Sequence, residues 1–245
     1  MVKLIEKLAR LLFEDGFLNK NMINIGSLVT YDNLKNILSG ENDEPLVCLN
    51  DLSPNLICRY NKPDMTPFVG EKILVRKGLA SRLIKACKQL KKINPEYSFK
   101  VVYGYRHPTV QIKYFNTAKE KILQKYKNIP DDELFSLVHN LVAVPSVAGH
   151  TVGGAIDITI EYKGRELDMG TKIADFEEIN KIKTFSKDIT DKQLENRLLL
   201  HGLMIKNGFA PFYGEWWHFS YGDKEWAYFY KKKQSLYSDK LVINI

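Results

Sequence analysis

A chain of 245 residues, 44% hydrophobic and 27% charged, is long enough to bury a sizeable core, and one domain or one domain with an appendage is the expectation. The net charge of +7 is scattered, with Lys231-Lys232-Lys233 the one dense run, so a nucleic-acid-binding face is not expected. Three cysteines, Cys48, Cys58 and Cys87, form neither a metal pattern nor a disulfide framework and suit a reducing compartment.

From the N-terminus, Leu4, Leu8, Leu11 and Leu12 recur at helical spacing and predict an amphipathic helix over residues 3–14. Charges interrupt it every three or four residues, so it reads as neither a signal peptide nor a membrane span. No other stretch is apolar for long enough to cross a bilayer, and a cytoplasmic protein is the default expectation. Residues 1–45 read as an N-terminal helical extension packed on a main domain of residues 46–245. Short strands are expected at 46–49 and 57–60. The apolar stripe Leu79, Leu83, Ile84, Ala86, Cys87 and Leu90 predicts a helix over 75–92. Alternation from Tyr97 to Tyr105 then predicts a strand ending at Arg106-His107-Pro108. Helices are expected over 109–126 and from the acidic, Pro-led start at Pro130 to Leu141. Strands follow at 155–162 and 217–221, with a helix over 190–207 closed by Gly208 between them. Strands and helices mix without strict βαβ alternation, which implies an α+β fold: a central, mainly antiparallel sheet flanked by helices.

Two segments carry the chemistry, Gly149-His150-Thr151-Val152-Gly153-Gly154-Ala155-Ile156-Asp157 and Gly214-Glu215-Trp216-Trp217-His218. Between them they offer two imidazoles, one carboxylate ligand and a spare carboxylate. Three N/O ligands, His150, Asp157 and His218, would fill three corners of a tetrahedral zinc and leave the fourth to water, as in a catalytic site. Glu215, three residues before His218, is placed to take a proton from that water. The conjunction predicts a zinc hydrolase.

The spacing makes two demands on the backbone. Extended chain would hold His150 and Asp157 roughly 23 Å apart, so Gly153-Gly154 has to supply a tight reversal or bulge. Ile156, Ile158 and Ile160 alternate with Asp157, which sets the aspartate on a rigid strand facing a cleft. Glu215 and His218 would lie on opposite faces of one ideal strand, so Glu215 is placed in the Gly214 turn ahead of it. Arg106 follows a strand end; its guanidinium is charged at any working pH and suits bracing a carbonyl oxygen as it becomes an oxyanion. His139 and His201 read as ordinary helix residues.

Ser146 to Asp157, Glu215-Trp216-Trp217-His218 and Gly104-Tyr105-Arg106 together resemble the VanX-type D-alanyl-D-alanine dipeptidases, zinc D-Ala-D-Ala peptidases whose fold is shared with the Hedgehog signalling domain. The resemblance extends from about residue 46 to 226. It implies one zinc per chain held by His150, Asp157 and His218, with Glu215 as general base and proton donor. It implies Arg106 as stabiliser of the tetrahedral intermediate and a small D,D-dipeptide, cleaved to D-alanine, as substrate. It further implies Asp175, shortly after Met169-Gly170, as holder of the substrate ammonium and Ser146 as a substrate contact. Two departures touch recognition: Tyr103 stands where the family often has an acid, and Ala148-Gly149 where a serine is typical. A D,D-carboxypeptidase or endopeptidase on peptidoglycan stem peptides is the alternative within the class. A non-catalytic zinc-binding module is the alternative outside it, and such a module would have no use for Glu215. Oligomeric state and biological role do not follow from these residues.

Overall fold

The strand foreseen at residues 155–162 is the spine of the molecule in the computed structural model, which describes residues 28–240. The strands are β1 (Leu46–Cys48), β2 (Leu56–Cys58), β3 (Leu74–Arg76), β4 (Tyr97–Tyr103), β5 (Ala155–Tyr162), β6 (Arg165–Glu166), β7 (Ala210–Pro211) and β8 (His218–Ser220). The main sheet has the order β2-β4-β5-β8-β7, with β6 paired to β5, and β1 and β3 form a separate two-stranded ribbon. Among the described strands only β2 and β4 pair in parallel and the remaining pairs are antiparallel, so the sheet is mainly antiparallel as expected. The helices are α1 (Tyr31–Lys35), α2 (Thr66–Val69), α3 (Lys77–Ile93), α4 (Pro108–Lys125), α5 (Asp131–His139), α6 (Ile179–Ile182), α7 (Asp191–Lys206) and α8 (Lys224–Phe229). Among the described residues no helix is long and apolar enough to cross a membrane.

The packing follows from periodicity. Leu79, Leu83, Ala86 and Leu90 of α3 meet Ile156, Ile158 and Ile160 of β5 and Leu200 and Met204 of α7 in one core, each 1% exposed or less. Each larger side chain buried there contributes about 1.5–3 kcal/mol. The far face of β5 is covered too, with Thr159 fully buried and Glu161 8% exposed. A second core gathers Leu34 of α1, Phe115 and Ala118 of α4 and Val138 of α5. Leu34 thereby ties the described part of the N-terminal segment to the body. The helix expected over residues 3–14 lies outside the described residues.

The expected elements differ at their ends for local reasons. The helix expected from residue 75 starts at Lys77, because Val75 pairs with Val47 across the β1–β3 ribbon. The strand expected to reach Tyr105 ends at Tyr103, and the Tyr105 N–H instead donates to the Leu74 carbonyl at 2.7 Å. Thr190 caps α7 through a reciprocal bond pair with Gln193, and Gly208 follows its end at φ +84°.

Candidate active site

Three elements bring the site together. His150 opens a single 3-10 turn, His150–Val152, whose exit, Gly153, lies at φ +68° with its N–H on the His150 carbonyl at 3.1 Å. This is the reversal the spacing demanded, and it needs a residue that tolerates left-handed backbone. Asp157 stands on β5 and His218 on β8, directly opposite each other in the antiparallel register. On the other side of β5 a register irregularity, the mark of a β-bulge, sets Tyr103 against Asp157. Glu215 lies in a turn closed by the His218 N–H on the Glu215 carbonyl, 3.3 Å. The turn carries residues three apart to one end of the strand and resolves the conflict of faces; β8 accordingly starts at His218 rather than Trp217.

The donor atoms converge. His150 Nε2 is 3.5 Å and His218 Nδ1 3.2 Å from the same Asp157 Oδ1, and one ligand atom from each residue falls within 4.8 Å of the others. Atoms bound to a tetrahedral ion at 2.0–2.1 Å lie about 3.4 Å apart, so these side chains can hold one metal ion with little adjustment. The other ring nitrogens are committed. His150 Nδ1–H donates to the Gly104 carbonyl at 2.7 Å, and His218 Nε2 meets Glu225 Oε2 at 3.3 Å. The two imidazoles therefore present different nitrogens inward, His150 held by a hydrogen bond and His218 by charge contact with Glu225.

Burial and charge pull against each other here. Burial lowers the His150 pKa, with Asp157 opposing. Burial also opposes charge on His218, yet Glu225 and Asp157 hold its pKa well above the usual imidazole value. Asp157 is buried, which by itself raises a carboxyl, but His150 and His218 hold it well below the normal carboxylate range. Glu215 is pushed up to about 7, chiefly by burial and further by Asp157 and Glu225, against His218 and Arg106. A carboxyl raised by burial in a cluster of His and Asp side chains is a candidate for proton exchange with water.

A family profile described as D-Ala-D-Ala dipeptidase matches residues 64–238. The chain belongs to the D-Ala-D-Ala dipeptidase family. It is therefore a metallopeptidase. A D-alanyl-D-alanine dipeptidase of Synechocystis sp. is 31% identical over 182 residues, covering 65% of this chain and 74% of the relative. One of Enterococcus faecalis is 32% identical over 111 residues, 44% of this chain and 50% of that protein. Among solved structures, the LdcB LD-carboxypeptidase is 20% identical over 87% of this chain and 94% of its own, with a TM-score of 0.46. The D,D-dipeptidase VanXYg, in complex with a D-Ala-D-Ala phosphinate analogue, is 18% identical over 80% of this chain and 67% of its own, with a TM-score of 0.35.

Within this D-Ala-D-Ala dipeptidase family member, Arg106 is joined to the candidate metal ligands through its own N–H, which donates to the His150 carbonyl at 3.0 Å. Its Nη1 donates to Gln111 Oε1 at 2.8 Å, and its Cζ lies over the Tyr103 and Tyr114 rings at 4.6 and 5.3 Å. Asp175 is half-buried and accepts the Glu177 N–H; its neighbour Phe176 stands edge-on to Trp217, 6.0 Å between centroids. Ser146 is exposed and lines a cavity of about 170 Å³ with Ala148, Thr151, Asp223 and Tyr237. None of His150, Asp157, His218 and Glu215 lines that cavity. Sequence reasoning missed Glu225, Gln111 and Asp64. The only signal for Glu225 is the helix start that Asp223 caps through its bond to the Trp226 N–H, which says nothing of where Glu225 points.

Proposed function

We propose that this peptidase hydrolyses D-alanyl-D-alanine in a zinc-dependent reaction that releases D-alanine. The observation that carries the reading is the convergence of His150 Nε2, Asp157 Oδ1 and His218 Nδ1 with Glu215 beside them. Two imidazoles and one carboxylate suit zinc and leave room for further ligands. Bound there, the ion supplies Lewis-acid polarisation and a water that ionises near neutral pH. Glu215 takes the proton from the attacking water and delivers it to the leaving amine, so one water is consumed and two molecules of D-alanine result. Arg106 offers N–H donors to the carbonyl oxygen as it gains charge. Asp175 is the candidate holder of the substrate ammonium, supported by the contact of Phe176 with Trp217, next to His218. Ser146 is the candidate further substrate contact, supported by its place on the stretch that leads into His150.

Glu215→Gln tests the reading: it should keep its zinc and lose roughly a hundredfold or more in kcat, the scale of a lost general base. A variant with unchanged turnover contradicts the role. Offering free D-Ala-D-Ala beside a pentapeptide ending in D-Ala-D-Ala tests the substrate; release of D-alanine from the pentapeptide alone would make the protein a carboxypeptidase instead.

A further inference from the structure

A guanidinium that is to meet charge as it develops has to be held in place beforehand. Arg106 is fixed at one end by Gln111, itself fully buried and anchored through its Nε2–H to the Ala143 carbonyl at 2.7 Å. The plane of the guanidinium is held by the two flanking rings. Tyr103 comes from β4 and Tyr114 from α4, and both hydroxyls converge on a single oxygen. Tyr103 Oη–H donates to Asp64 Oδ2 at 2.7 Å, and Tyr114 Oη–H donates to the same atom. Asp64 sits on a third element, the one-turn segment Pro63–Met65. The Tyr103 ring also stands edge-on to the His150 ring, 5.5 Å between centroids.

From this arrangement we infer that Asp64 is a positioning residue for Arg106, acting through the hydroxyls of Tyr103 and Tyr114. The inference rests on the reading of Arg106 as the oxyanion-stabilising group. One carboxylate oxygen joins three elements at the point where the guanidinium lies. It sets the tilt of both rings and so the direction of the guanidinium donors they leave free.

Two readouts test it together. The first is the side-chain Nε–Hε signal of Arg106 in ¹⁵N relaxation experiments, assigned by its loss in Arg106→Lys. The second is steady-state hydrolysis of D-Ala-D-Ala. Asp64→Ala should keep its bound zinc, mobilise the Arg106 signal and lower kcat by about tenfold to a hundredfold, the cost of misplacing a group at the reacting centre, with KM little changed. Asp64→Asn, which retains an oxygen able to accept both hydroxyls, should recover most of both. In an Arg106→Lys background, Asp64→Ala should cost nothing further. An Arg106 signal as rigid in Asp64→Ala as in the wild type overturns the inference, as does a kcat loss that persists in full in the Arg106→Lys background. Should Asp64→Ala fail to fold, Tyr114→Phe removes one of the two donors and is read the same way. If the wild type does not hydrolyse D-Ala-D-Ala, the substrate reading falls while the Arg106 signal still decides the positioning role.

Discussion

His218 illustrates how one ring is prepared for the ligand role proposed for it. Its Nε2 meets Glu225 at 3.3 Å, which leaves Nδ1 to face Asp157 and the proposed metal position. Both side chains are buried, so the pairing is poorly screened by solvent. Removing the carboxylate frees the ring to turn and leaves Nε2 without its partner. Glu225→Ala should therefore weaken zinc binding by about 10–100-fold, measured by competition with a chromogenic chelator; unchanged affinity would show that the backbone alone orients His218. Residues brought together by spacing along the chain were legible at this scale, and His150, Asp157 and His218 do converge. Glu225, Gln111 and Asp64 act across space, and no periodicity records that Tyr103 and Tyr114, on different elements, share one carboxylate oxygen.

At the scale of elements, the site depends on a turn and a register. The His150–Val152 turn feeds β5 through Gly153, at φ +68°, where an added Cβ would fall 2.5 Å from Leu46 Cδ2. Gly153→Ala should destabilise the fold by roughly 1–3 kcal/mol and weaken zinc binding, because the strain is released by shifting His150. Denaturant unfolding with and without zinc measures both effects; a variant as stable as the wild type would mean that the turn relaxes freely. Long periodic elements could be read from the chain, and α3, α4, α7 and β5 lie where the pattern put them. The ribbon partner β3, the two-residue β6 and β7 and the short α2, α6 and α8 could not. Segments of two to six residues carry too little periodicity, and their conformation is set by what they pair with. Gly214 was legible as a turn because the Glu215–His218 spacing is incompatible with one continuous strand.

Across the whole molecule, buried polar groups join distant stretches of sequence. Arg76, 1% exposed, donates to the carbonyls of Glu44, Val152 and Ser238 at 2.6, 3.0 and 3.0 Å and pairs with Glu41 at 3.1 Å. It thus links the N-terminal segment, the His150 turn and the C-terminal stretch, a tie that neither composition nor spacing announces. His201, also 1% exposed, lies among the Phe185, Tyr213 and Phe219 rings, and burial lowers its pKa to about 3. Its folded pKa is below the unfolded value, so its neutral form contributes full stability above pH ~6.5, and that contribution is lost as pH falls towards 3. Relative to His201→Leu, the wild type should lose about 1.4 kcal/mol for each pH unit below about 6, and parallel unfolding curves from pH 7 to 5 would contradict this. The account as a whole stands on one metal ion working beside Glu215. The most direct measurement is a titration of zinc into chelator-stripped protein while D-alanine release from D-Ala-D-Ala is followed. Activity should be negligible at the start, rise linearly and level off at one equivalent. Full activity in the stripped protein, or no release at any zinc concentration, would contradict it.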